Sequence, residues 1–224
     1  MNLERYDYER KRTYKEYFFY SEGPKGRVLK VVRFDLIYAY PHSYYNLVFG
    51  DWNKERSEID DISVTNNGDA EKVLATVAYI VLNFTDIFRN APVYAIGSNS
   101  ARSRRYQIGI NKFWHEIEKI FYVYGRIGGL WESFQKNTNY DAFFIVRKEP
   151  EYVILEEQTE SYMTSSQKKN ETEKKRVYDD RIVYEKDLVN EETDPVVLKK
   201  KAMALKMLEK SPLPEEILRG RKGF

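Results

Sequence analysis

Three arginines crowd one short segment, Gly97-Ser98-Asn99-Ser100-Ala101-Arg102-Ser103-Arg104-Arg105-Tyr106. The run reads as a turn opening a helix. A cation in the first turns of a helix opposes the macrodipole at a cost of about 0.3 kcal/mol or more, so Arg102, Arg104 and Arg105 need a reason to be there. An anionic ligand supplies one: forked guanidinium groups suit phosphate or carboxylate, and Ser98, Asn99 and Ser100 add polar partners at the turn. The plainer alternative is ion pairing with Asp60, Asp61 or Asp69 on neighbouring loops, contacts that are common and weak.

A second segment, Ile62-Ser63-Val64-Thr65-Asn66-Asn67-Gly68-Asp69-Ala70, runs from an apolar stretch through small polar residues into a helix. Unpaired first-turn N–H groups there can hold an anion beside Asn67, Gly68 and Ala70. Asp69 pulls the other way. A carboxylate at that position satisfies the helix end itself and repels phosphate, so Asn67 to Asp69 reads more readily as a simple cap.

Other chemistries are thinly supplied. The sequence has no cysteine, hence no thiolate nucleophile, thiolate metal site or disulfide framework, and a reducing, cytoplasmic setting is the simplest expectation. His42 and His115 are too few for a metal set, and adjacent Asp60 and Asp61 in a strand would face opposite ways. No G-x-S-x-G elbow is present. With 37 basic against 35 acidic residues, no whole-protein field argues for nucleic acid or a membrane surface, so any basic site is local. Nineteen tyrosines among lysines and arginines could stack on RNA or single-stranded DNA, or serve as strand residues with one wet edge. The charged start of the chain and the absence of 18 consecutive apolar residues speak against a secretory signal and a membrane span.

The elements that must position these residues can be read in outline. Tyr14 to Tyr20, Val28 to Ile37, Tyr44 to Phe49 and Ile59 to Val64 are rich in aromatic and β-branched residues and predict a four-strand antiparallel meander. Gly23-Pro24-Lys25-Gly26, Pro41-His42-Ser43 and Gly50-Asp51 supply the breaks. From Asp69 the period changes to 3.6, with Val73, Val77, Ile80, Val81, Phe84 and Phe88 on one helical face until Pro92. A short strand over Val93 to Ile96 precedes the arginine-bearing helix, whose apolar face continues through Ile110, Phe113 and Ile117. Strands over Phe121 to Arg126 and Tyr140 to Val146 follow, joined by a Gly128-Gly129 loop. The expected fold class is α+β: a mixed, largely antiparallel sheet with two main helices packed on it.

Beyond Pro150 the pattern weakens. Residues 151–194 read as a charged linker. Residues 195–224 form a tail with a helix over Pro195 to Lys210, capped by Asp194, with a modest apolar stripe of Val197, Ala204, Leu205 and Leu208. The expected domains are therefore 1–150, linker and helical tail.

The runs EGPKGRVLKVVRF, FGDWN, IDDISVTNNGDAEKVLATVA, GSNSARSRRYQIGINK and NYDAFFIVRK resemble a bacterial family of small α/β proteins with no established activity, over residues 1–148. A more distant resemblance is to the GNAT acetyltransferases, through Thr65 to Ala70 for the Q/R-x-x-G-x-G/A turn and Asn99 to Tyr106 for the later N-x-x-A-x-x-L-Y helix. Thr65 stands where Gln or Arg is usual, and Arg102 and Arg105 where small and apolar residues are usual. That resemblance implies that Gly68 and Ala70 approach the pyrophosphate of acetyl-CoA and that Tyr106 is a general acid. The reading that follows is a GNAT-like binding or regulatory module without ordinary transferase chemistry. Its site is a groove between Asn67–Ala70 and Ser98–Tyr106 for a phosphate-bearing small molecule, and its tail takes a protein partner, as in toxin–antitoxin or defence pairs. The alternatives are an acetyl-CoA-dependent N-acyltransferase and an RNA or single-stranded DNA binding protein.

Overall fold

The computed structural model describes residues 3–39, 42–63, 65–88, 91–148 and 195–213. Nine strands form one mixed sheet. The first five are β1 (Tyr8–Arg10), β2 (Glu16–Gly23), β3 (Gly26–Ala39), β4 (His42–Asn53) and β5 (Glu58–Asp60). Helix α1 (Ala70–Ile87) leads to β6 (Val93–Ile96), then α2 (Ser100–Lys112) and the single turn α3 (Trp114–Ile117). Strands β7 (Phe121–Ile127), β8 (Leu130–Ser133) and β9 (Ala142–Arg147) complete the sheet, and α4 (Pro195–Lys210) follows. The order is β1-β2-β3-β4-β6-β9-β7-β8, with β5 a short branch on β4. Every pairing is antiparallel except β4 with β6.

That parallel pair requires a crossover, and α1 provides it. The buried side of α1, chiefly Val73, Val77, Ile80 and Phe84, packs on one face of the sheet with Val32, Phe34 and Leu47 beneath it. Phe84 anchors the helix: its ring stacks on Phe34 at 3.8 Å and meets Tyr45 edge-on at 5.0 Å. Ile110, Phe113 and Ile117, from α2 and α3, extend the same core over β7 and β9.

The opposite face is covered by α4. Ala204 and Leu208 pack with Ile37, Tyr44, Tyr94, Ile96 and Phe144. Both ends of this helix are tied down. Near its start Lys200 pairs with Asp61 at 3.2 Å, with side-chain exposures of 3% and 6%. Beyond its end Ser211 accepts a hydrogen bond from the Trp131 indole at 3.1 Å and from Arg126 at 3.3 Å. The helical stripe seen in the sequence thus covers the chain's own sheet. Residues 151–194 and 214–224, and the expected cap at Asp194, lie outside the described residues.

Several boundaries differ from the expected ones, each for a local reason. Tyr14 sits in a turn at φ 59°, so β2 starts two residues later. Gly50 and Asp51 do not break the meander but continue β4 to Asn53. The expected strand Ile59 to Val64 stops at Asp60, because the Asp60 carboxylate accepts the N–H groups of Ile62 (2.9 Å) and Ser63 (2.8 Å) and turns the chain. Asp60 and Asp61 are therefore not two successive strand residues. Gly128 and Gly129, at φ 58° and 87°, are the two-residue turn of a tight β7–β8 hairpin rather than a long loop. Strands β1 and β8 have no counterpart in the sequence reading. The apolar face expected to run on to Ile117 is interrupted at Phe113, where α2 ends and α3 begins.

Candidate functional site

Strands β4 and β6 run parallel, so their C-terminal ends point the same way, and α1 and α2 both start at that end. A cavity of about 370 Å³ lies between the two helix starts. Its walls include Asn67 to Ala70 on one side and Arg102, Arg105 and Tyr106 on the other. The two segments singled out in the sequence therefore meet, although the chain reaches Asn67 through the antiparallel β5 rather than directly from a strand parallel to β6.

Each side of the cavity is built by specific contacts. The Asn67 amide is buried and fully committed: its oxygen accepts the Lys25 N–H at 2.9 Å, and its nitrogen donates to Ser21 at 3.1 Å and to the Gly26 carbonyl at 2.9 Å. It holds the loop and is not free for a ligand. Gly68 has φ 77°, a conformation glycine adopts without the Cβ penalty. Asp69 occupies the N-cap position of α1 without capping it. Its carboxylate instead accepts hydrogen bonds from Ser21 at 2.6 Å and from the Tyr6 hydroxyl at 2.8 Å. The first turn of α1, at Ala70, thus faces the cavity with no side-chain cap.

Arg102 is held by backbone, not by acid. Its guanidinium donates to the Ser63 carbonyl at 2.7 Å and to the Phe49 carbonyl at 3.3 Å. The expected pairing partners are otherwise engaged, Asp61 with Lys200 and Asp69 with Ser21 and Tyr6. Among the described residues none of the three arginines forms a contact ion pair with a carboxylate, and Arg102 stands at the cavity wall. Asp60 feels its charge at longer range. Burial pushes its carboxyl pKa up, but hydrogen bonds from Ser63 and Ile62 and the field of Arg102 outweigh burial and hold it below the ordinary aspartate value. A folded-state pKa below the unfolded one contributes stability above the unfolded value, lost as pH falls through the folded one. Amide protection at Ile62 and Ser63 should therefore persist through the ordinary aspartate range and fall only as pH drops below it, and a flat profile would remove Asp60 as the organiser of this turn.

The cavity also contains a group absent from the sequence reading. Lys30 and Asp51 are cross-strand partners on β3 and β4, and the Lys30 ammonium is bonded to the Asp51 carboxylate and, at 2.5 Å, to the Thr65 hydroxyl. Thr65 in turn donates to Asp51. The signal was available: Lys30 alternates with Val28, Val32 and Phe34, so it is a lysine on an otherwise apolar, helix-covered face of its strand.

The remaining expected residues are placed elsewhere. Asn99 caps α2 by accepting the Arg102 N–H at 3.0 Å. Ser98 donates to the Asp61 carbonyl at 2.7 Å. Asn99, Ser100 and Arg104 line a separate, shallower cavity on the α4 side of α2, with Met203 and Met207 opposite and Arg104 bonded to Asn139. The arginine turn thus serves two cavities. No helix among the described residues is long and apolar enough to cross a membrane.

No curated protein and no solved structure is significantly similar to the chain. One family does match it, over residues 2–148, a span that runs from before β1 to just past β9, contains the whole cavity between α1 and α2, and leaves α4 outside. The chain therefore belongs to DUF6934, a family of unknown function.

Proposed function

We propose that the cavity between the starts of α1 and α2 binds a small anion-bearing ligand, and that the protein works as a binding or regulatory module rather than a catalyst. The observation that carries this reading is Arg102: a guanidinium fixed by two carbonyls, with no carboxylate in contact, beside an uncapped helix start. Arg105, exposed on the same wall, adds a second adaptable cation. Lys30 contributes less charge because Asp51 answers it. Apolar walls such as Phe49 and Val73 favour a ligand with a non-polar part. Association with another protein through the tail region would use the outward side of α4, where Leu198 and Met203 are exposed, since Ala204 and Leu208 already serve the sheet.

The test is calorimetric titration of coenzyme A, acetyl-CoA and inorganic phosphate into the full chain and into Arg102→Ala and Arg105→Ala. Losing a charge-assisted contact should weaken binding about 10- to 100-fold for Arg102→Ala and less for Arg105→Ala. No heat from any of the three at millimolar ligand would sink the reading. Oligonucleotide binding that collapses with salt would instead favour a nucleic-acid partner.

Acetyl transfer is the second reading, supported by the distant GNAT resemblance and by one observation: the Tyr106 hydroxyl is buried at the cavity with no hydrogen-bond partner among the described residues. A general acid waiting for a thiolate leaving group fits that state. Tyr106→Phe should then abolish turnover of acetyl-CoA while leaving its affinity within about threefold. Binding without turnover in the unaltered chain returns the case to the binding module.

A further inference from the structure

A second cavity, of about 80 Å³, lies between α1, α2 and the sheet. Its lining is apolar, from Leu47 and Ala95 on the strands to Val77, Ala78 and Ile110 on the helices. Leu74 and Tyr106 line both this cavity and the anion cavity. Gly109, one turn past Tyr106, lines this space, and a Cβ there would meet the Leu74 side chain first, at an ordinary contact distance of 3.5 Å. The two hollows are thus neighbours through one layer of side chain, of which half-buried Leu74 is part.

We infer that the ligand is an amphiphilic anion, a phosphate or carboxylate head on an unbranched apolar chain, with its head at Arg102 and its tail end in the cavity beside Gly109. The inference rests on the anion reading and deepens it. Charge decides the orientation: Arg102 and Arg105 line the first cavity, and the lining of the inner hollow offers a ligand no charged side chain and no hydrogen-bonding one except Tyr106. Dimensions set the chain length. From Arg102, which holds the head, to Ile110 on the wall of the inner hollow is about 12 Å along α2 at 1.5 Å per residue. An extended chain advances roughly 1.2 Å per bond, so about eight to ten bonds reach the far wall. An apolar cavity of about 150 Å³ accepts benzene, so 80 Å³ holds roughly the last three carbons.

The experiment titrates butyl, hexyl, octyl and decyl phosphate, and the matching alkanoates, into the full chain and into Gly109→Ala. Affinity should rise about fourfold per methylene to roughly the octyl member and then level off. The two head series show which anion is preferred. Gly109→Ala adds a methyl into the inner hollow and improves helix propensity, so its melting temperature should rise while its octyl and decyl affinities drop about tenfold and butyl affinity is unchanged. A flat dependence on length, or coincident length profiles for the two proteins, overturns the tail assignment. Inorganic phosphate binding that persists beside a flat profile would leave the anion site standing alone. A steep profile untouched by Arg102→Ala would do the reverse, overturning the head assignment and keeping the apolar one.

Discussion

Asp61→Ala should release α4 from the sheet. The substitution leaves the Lys200 ammonium buried without its carboxylate, and breaking a buried pair from one side costs about 3–5 kcal/mol, more than the apolar contacts of Ala204 and Leu208 can absorb without detachment. Amide exchange along α4 should rise to the rate of a frayed helix, and the uncovered Tyr94 and Phe144 should bind a hydrophobic dye. The Ser98 hydroxyl bonds the Asp61 carbonyl, not its side chain, so the loop itself should stay in place. Replacing both partners, Asp61→Leu with Lys200→Met, should recover most of the loss, because two desolvated charges are exchanged for apolar contact. If α4 remains protected in Asp61→Ala, the ion pair is not what fixes the helix. If the double variant is as loose as the single one, the loss is not electrostatic.

Gly97→Ala should damage stability and ligand binding together. A Cβ at Gly97 would lie 2.8 Å from the Arg102 carbonyl carbon and closer still to the Ser103 nitrogen, both backbone atoms that cannot swing away. The first turn of α2 must therefore lift from the sheet, at a cost of about 1–3 kcal/mol. Arg102 lifts with it and loses its hold on the Phe49 and Ser63 carbonyls, so anion affinity should fall by tenfold or more. The same change at Gly109, inside α2 rather than in the turn before it, has the opposite sign for stability, which makes the pair an internal control. Unchanged affinity in a destabilised Gly97→Ala protein would show that Arg102 does not need the turn to position it.

Much of this site was visible before the fold. The boundaries of β6 and α4 follow from proline punctuation and periodicity alone, and the arginine run draws attention by violating the dipole preference. The strand order was not visible. Nothing local tells that β9 lies between β6 and β7, because that choice is made by which apolar faces meet in the assembled core. Short pieces were missed for a different reason: β1 and β8, at three and four residues, are too brief to show a period. The Lys30–Asp51 pair could have been found, since both are charges on faces whose strand neighbours are apolar, but recognising it requires the register of β3 against β4. The Ala204–Leu208 stripe was legible as a stripe, and its destination was not, because a helix face does not say which surface it will cover.

That destination has a consequence during synthesis. Asp61 and Lys200 are separated by 139 positions, and the cover for Ile37, Tyr44, Tyr94 and Phe144 is translated after all of them. Between the emergence of Lys148 and that of Leu213 the ribosome adds 65 residues, roughly 3–13 s of elongation. Through that interval the nascent sheet presents an aromatic face with its lid still unmade, so slow codons downstream of residue 148 should cost yield of the native protein in a way that the same codons upstream would not.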